Sequence, residues 1–167
     1  MKIKKIYLDM DGVISDFHKK YIELFKVNPV GYRERKEEEN GYWDQFVSGR
    51  NFEKLDWYPG GVELVKFIRQ LDIPVEILTS SGGNKHHESV AEQKKIWLKT
   101  QGITYPVNVV PGRDKKAEFA TPDSILIDDT ADVIEGFNAA GGIGILHKGD
   151  VRQTIDILQK HLDEVTI

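Results

Sequence analysis

A three-layer α/β/α fold, built on a parallel sheet with a small helical cap inserted after its first strand, is what this 167-residue sequence predicts. Short apolar strands near residues 3–9, 73–79, 107–110, 124–128 and 142–146 alternate with segments of helical period, and this alternation calls for parallel pairing with helices on both faces. The long interruption between Gly12 and Pro59 mixes aromatic residues with charge and contains no core strand, so it must carry structure of its own. The length fits one domain, divided into a core of residues 1–13 and 59–167 and a cap of residues 14–58.

Taken in chain order, Ile6, Tyr7 and Leu8 are the apolar run of the first strand, which delivers Asp9 and Asp11 into a turn at Gly12. Ser15 to Lys26 has helical character, Arg33 to Asn40 is a charge run of the solvated kind, and Gly41 to Phe52 is rich in aromatic residues. Leu64, Val65, Ile68 and Leu71 form the apolar stripe of the next helix. Residues 73–81 read as a buried strand that ends in the hydroxyls of Thr79, Ser80 and Ser81. Residues 112–120 place Lys115 and Lys116 where a short helix should begin, and residues 124–130 form a strand ending in Asp128 and Asp129. Gly141, Gly142 and Gly144 end a helix and allow close packing, and Val151, Ile155, Leu158 and Leu162 mark the stripe of the last helix.

Alternate strand residues point to the same side, so Asp9 and Asp11 are neighbours that repel unless a cation or proton is shared between them. A hard divalent metal satisfies such a pair, and so does an ordinary Asp-Gly turn with no ligand. The other segments tilt the balance. Ligands of open α/β sheets bind outside the carboxyl ends of the strands, which is where Asp9, Thr79 and Asp129 all fall.

Composition narrows the partners. The absence of cysteine excludes disulfides and thiolate metal sites. A formal net charge of -4 argues against a nucleic-acid polymer as main partner and is compatible with a small anion drawn in by a bound metal. No apolar run approaches the roughly 20 residues that span a bilayer, and the amino terminus passes directly into a strand, so a cytoplasmic protein is expected. Competing motifs fail on spacing. Gly12 follows Asp11 directly, unlike the sixth-position glycine of an EF-hand loop. His87-Glu88 lacks a second histidine four positions on, and the clustered glycines precede a strand rather than follow one.

The order acid pair, hydroxyl, lysine, acid pair resembles the four motifs of the haloacid dehalogenase (HAD) superfamily of phosphohydrolases, over nearly the whole chain. That resemblance implies a Rossmann-like core, a magnesium cofactor, Asp9 as nucleophile and metal ligand, and Asp11 as a ligand through its backbone carbonyl and a general acid and base through its carboxyl. It also implies Asp129 as a further ligand with Asp128 as alternative, and Thr79 and a lysine on the transferred phosphate. Lys-Ala-Glu-Phe-Ala favours Lys116 over Lys115 for that lysine. Within the superfamily, Asp-Met-Asp-Gly-Val-Ile-Ser-Asp-Phe, Thr79-Ser80 and Ile-Leu-Ile-Asp-Asp resemble the 5'(3')-deoxyribonucleotidases. This closer likeness implies a nucleoside monophosphate as substrate, with Phe17 and Trp43 at the base and Ser80 beside the phosphate. The alternatives are a sugar phosphate, a nucleic-acid 3'-phosphate, or a metal- or nucleotide-binding regulator without turnover.

Overall fold

The computed structural model describes residues 2–29 and 41–165. Its sheet contains β1 (Lys5–Leu8), β2 (Val75–Ser80), β3 (Val107–Val110), β4 (Ser124–Asp128) and β5 (Ile143–Leu146), all parallel, in the order β3-β2-β1-β4-β5. Strand alternation divides the apolar residues between two faces. Ile6, Leu8, Ile77, Ile125 and Ile127 enter one buried cluster, whereas Leu78 and Leu126 enter another. Such sheets are covered on both sides, which is why their strands read as continuous apolar runs.

The helices supply the covers. α1 (Phe17–Phe25) and α2 (Tyr42–Ser48) belong to the insertion after β1, followed by a 3-10 turn at Asn51–Lys54. α3 (Gly61–Arg69), α4 (His87–Thr100) and α6 (Val151–Val165) bring Leu64, Ile68, Trp97 and Leu158 to the first cluster. α5 (Ala131–Ala139) brings Val133, Ile134 and Phe137 to the second. Gly142 is small for a packing reason, because a Cβ there would lie 2.3 Å from the Phe137 ring.

The strand expected over residues 3–9 contracts to Lys5–Leu8, yet the backbone on either side stays paired: Lys4 N–H donates to Asp123 O at 2.8 Å and Asp9 N–H to Ile127 O at 3.0 Å. The short helix expected at Lys115 and Lys116 begins two residues earlier and is of the 3-10 type. They sit within a 3-10 turn, Arg113–Phe119, whose repeat of about three residues puts Lys116 and Phe119 on one inward side and leaves Lys115 outside. The charge run Arg33 to Asn40 lies outside the described residues. No described helix is long and apolar enough to cross a membrane.

The insertion leaves and rejoins the core side by side. Ser15 forms an antiparallel bridge with Trp57, Tyr58 N–H donates to Ile14 O at 2.8 Å, and Asp16 N–H donates to Asp56 O at 3.0 Å. Asp16 then caps α1 by accepting the Lys19 N–H at 3.2 Å. β1 lies centrally, with β2 and β3 on one side and β4 and β5 on the other. The chain therefore reverses its direction across the sheet between β1 and β4, and a crevice opens at the carboxyl ends of those strands.

Candidate active site

Asp9 leaves the end of β1 and Asp128 ends β4, and both are buried, at 5% and 1% exposure. Carboxylates at that depth need a counter-charge. Lys116 supplies it: its Nζ lies 2.9 Å from Asp9 Oδ1 and 2.7 Å from Asp128 Oδ2, and it is buried with them. Asp128 Oδ1 accepts the Thr130 N–H at 3.0 Å, so both oxygens of Asp128 are engaged. Asp129 lies closer to solvent and lines the cavity, with Oδ1 accepting from the Thr130 hydroxyl at 3.2 Å.

Asp9, Asp128 and Asp129 bring one carboxylate oxygen each within 4.8 Å of one another, an arrangement that can hold a metal ion. The electrostatics of the bare site point the same way. Burial, and then the neighbouring Asp128 charge, pushes the Asp9 carboxyl well above its usual range despite the attraction of Lys116. Burial and Asp128 likewise raise Asp129 to about 6. Burial opposes the charge of Lys116, but Asp9 and Asp128 outweigh it and hold that ammonium above the ordinary lysine range. A cation among these oxygens relieves the repulsion that raises the two acids.

Gly12 makes the approach of the two acid segments possible. Its φ of +80° suits glycine, and a Cβ there would fall 1.9 Å from Asp129 Oδ2. Asp11 is turned away from the three-acid cluster. Its Oδ2 lies 3.0 Å from Lys94 Nζ, and its Oδ1 accepts the Ser15 hydroxyl at 3.0 Å. The carboxyl of Asp11 thus occupies a different part of the same cavity.

Lys94 is the residue that sequence reading missed. It lies in the middle of α4, in a charged stretch, and is 1% exposed. Its ammonium donates to Asp11 Oδ2, to Thr79 Oγ1 at 2.7 Å and to Ser80 O at 2.8 Å, and lies 5.1 Å from the centre of the Phe52 ring. Thr79 is buried at the end of β2, and the Ser80 hydroxyl accepts the Gly82 N–H at 3.1 Å. The signal was present: Val90, Lys94 and Trp97 fall on one helical face, so Lys94 occupies a core position of an apolar stripe.

These groups line one cavity of about 460 Å³, within the range of about 300–1,000 Å³ usual for small-molecule sites. Asp9, Asp11, Thr79, Ser80, Lys94, Lys116 and Asp129 lie on its core side, and Phe17, Trp43 and Phe52 come from the insertion. Lys115 is outside, paired with Glu118 at 3.7 Å. The aromatic wall is packed edge and face. Phe17 stacks on Phe52 with ring centres 5.6 Å apart and an interplanar angle of 7°, and Trp43 meets both rings edge-on. Trp43 also stacks on Phe46, so it serves the small core of the cap as well as the cavity.

No protein-family model matches the sequence, and neither does any curated protein. Among solved structures, a hydrolase from Streptococcus pneumoniae TIGR4 is similar with a TM-score of 0.54 at 16% identity, covering 93% of this chain and 100% of that one. The HAD-hydrolase YfnB from Bacillus subtilis, solved bound to magnesium, is similar with a TM-score of 0.53 at 15% identity, covering 90% of this chain and 92% of that one. The fold is HAD-like, a five-stranded parallel sheet with a small helical insertion after β1.

Proposed function

We propose that this chain is a magnesium-dependent phosphatase that hydrolyses nucleoside monophosphates, deoxy forms among them, through a phosphorylated Asp9. One juxtaposition carries the reading: the carboxylates of Asp9, Asp11 and Asp129, with Asp128 buried behind them, and two buried lysines form one end of a cavity whose other wall is aromatic. Asp9, Asp11, Asp128 and Asp129 outnumber the charges of Lys94 and Lys116, which leaves an excess that a divalent cation offsets. Asp9 and Asp129 are the side chains that would hold it, with Asp128 beside them as the alternative. When bound, magnesium screens the repulsion between a carboxylate and a phosphate and draws charge from the phosphoryl oxygens.

The remaining steps belong to the chain's own groups. A carboxylate oxygen of Asp9 attacks phosphorus and the ester bond breaks, giving an aspartyl phosphate and an alcohol that takes its proton from Asp11. Asp11 then removes a proton from water, which attacks the aspartyl phosphate, releases inorganic phosphate and restores Asp9. The Thr79 hydroxyl accepts from Lys94 at 2.7 Å, which leaves its own O–H to donate to a phosphoryl oxygen, and the Lys94 charge adds attraction. Lys94 also lies 3.0 Å from Asp11 Oδ2 and orients that carboxyl. Phe17, Trp43 and Phe52 exclude water from the leaving-group side and present ring surface to a nucleobase.

The substrate assignment is tested at the aromatic wall. Phe17→Ala and Trp43→Ala should lower kcat/KM for a deoxynucleoside monophosphate by about 10- to 100-fold, since a stacked base is worth about 1–3 kcal/mol. A generic aryl phosphate should be largely spared. Parallel losses on both substrates, or a sugar phosphate hydrolysed better than any nucleotide, would replace the nucleotidase reading with that of a general phosphatase.

The metal assignment separates the two acids after β4. Asp128 spends both oxygens on Lys116 and Thr130, whereas Asp129 faces the cavity. Asp129→Asn should therefore raise the magnesium concentration needed for half-maximal binding in calorimetry more than Asp128→Asn does. The Asp128 variant should show its main effect in thermal stability. A reversed order would assign the ligand to Asp128, and equal affinities would contradict the choice of Asp129.

A further inference from the structure

The side chain next to Lys94 connects the charge centre to the cap. Gln93 is fully buried and does not line the cavity. Its Oε1 accepts the Phe52 N–H at 3.2 Å, and its Nε2 donates to Val47 O at 2.9 Å and to Ser89 Oγ at 3.1 Å. Two of these three partners are backbone groups of the cap, one a donor and one an acceptor. An amide side chain satisfies both at once, and an apolar side chain of equal length satisfies neither. Buried backbone groups left unpaired cost about 1–3 kcal/mol each, so the segment moves to reach water when it can.

Phe52 is the cap residue with most to lose by moving. Its ring lies under Lys94, stacks on Phe17 and meets Phe46 edge-on at 4.9 Å. One turn further along α4, Trp97 Nε1 donates to Leu55 O at 2.8 Å, fixing the segment beyond the 3-10 turn as well. Successive residues of one helix thus hold the aromatic wall, through Gln93, and the phosphate-facing charges, through Lys94. We infer that Gln93 is a positioning residue: its amide sets the distance between the aromatic wall and the charge centre, and with it the preference for substrates that carry a base. The inference rests on the cavity being a phosphate-ester site.

The test compares a deoxynucleoside 5'-monophosphate with deoxyribose 5-phosphate, which share the ester and differ by the base, using the full chain with magnesium. Gln93→Met should reduce kcat/KM for the nucleotide about tenfold, mostly through KM, while deoxyribose 5-phosphate changes by less than about twofold. Gln93→Glu keeps an acceptor for the Phe52 N–H and should lose less of the preference than Gln93→Met. A role confined to stability would lower both substrates together, and that result, or an unchanged ratio, overturns the inference. Hydrogen exchange gives an arm that needs neither turnover nor a variant. The Phe52 amide of the wild-type chain should exchange at least about 100-fold more slowly than an open peptide, and exchange at the open rate also overturns it. If the wild-type chain releases phosphate from neither ester, the phosphatase reading falls, and exchange at Phe52 alone decides whether Gln93 holds the wall.

Discussion

Asp9→Asn should abolish phosphate release, with a loss of at least about 10³-fold in kcat, while the protein remains folded. The amide has almost the shape of the carboxyl, still offers an oxygen to Lys116, and cannot attack phosphorus. It also removes a carboxyl that burial and Asp128 hold well above its usual range. A raised acid binds its proton more readily in the folded state, so above the ordinary carboxylate range its charge opposes folding. The midpoint of thermal unfolding measured in chelator near pH 8 should therefore be equal to or higher than that of the wild type. A variant that keeps more than a tenth of the wild-type rate would remove Asp9 from the nucleophile's place.

Lys116→Met should damage both activity and stability. The lysine is the cation shared by two buried carboxylates, Asp9 and Asp128, and deleting one partner of such a set typically costs about 3–5 kcal/mol. In chelator the midpoint of unfolding should fall by roughly 10 °C. The deficit should be largest near pH 8 and shrink toward pH 5, because the stranded Asp9 carboxyl, held above its usual range by burial and Asp128, takes up a proton as pH falls and then no longer repels. Activity with saturating magnesium should drop by about 10²–10³-fold, the usual cost of losing one stabiliser of transition-state charge. The corresponding Lys115→Met variant should be nearly silent in both assays, since Lys115 is half exposed and its ion pair among the described residues is with Glu118.

The parts of this molecule that a sequence discloses are those fixed by local pattern. β4 begins and ends where its run does, because a strand buried on both faces leaves no choice of residue. Asp9, Thr79 and Asp129 were legible for a related reason: each follows such a run, and the ends of parallel strands meet at one crevice. Lys116 was separable from Lys115 by motif likeness alone; what places it inside is the three-residue repeat of a 3-10 turn, which no periodicity of the sequence announces. Gln93 was hidden, and Lys94 showed only through its place on the face of Val90 and Trp97, because polar residues in a helix normally face water. Their burial is decided by what α4 packs against, namely Asp11 and Thr79 on one side and the cap backbone on the other. The roles of Phe17 and Trp43 were half visible: aromatic residues signalled a packed cap, and only the fold brings that packing to the rim of the charged cavity.

Phosphate release measured over deoxynucleoside monophosphates, deoxyribose 5-phosphate and 3'-phosphorylated oligonucleotides, each with magnesium and with chelator, tests the central claim most directly. Release is expected from at least one deoxynucleoside monophosphate in magnesium, faster than from deoxyribose 5-phosphate, and none in chelator or with Asp9→Asn. No release from any phosphate monoester in magnesium, or equal release in chelator, would contradict it.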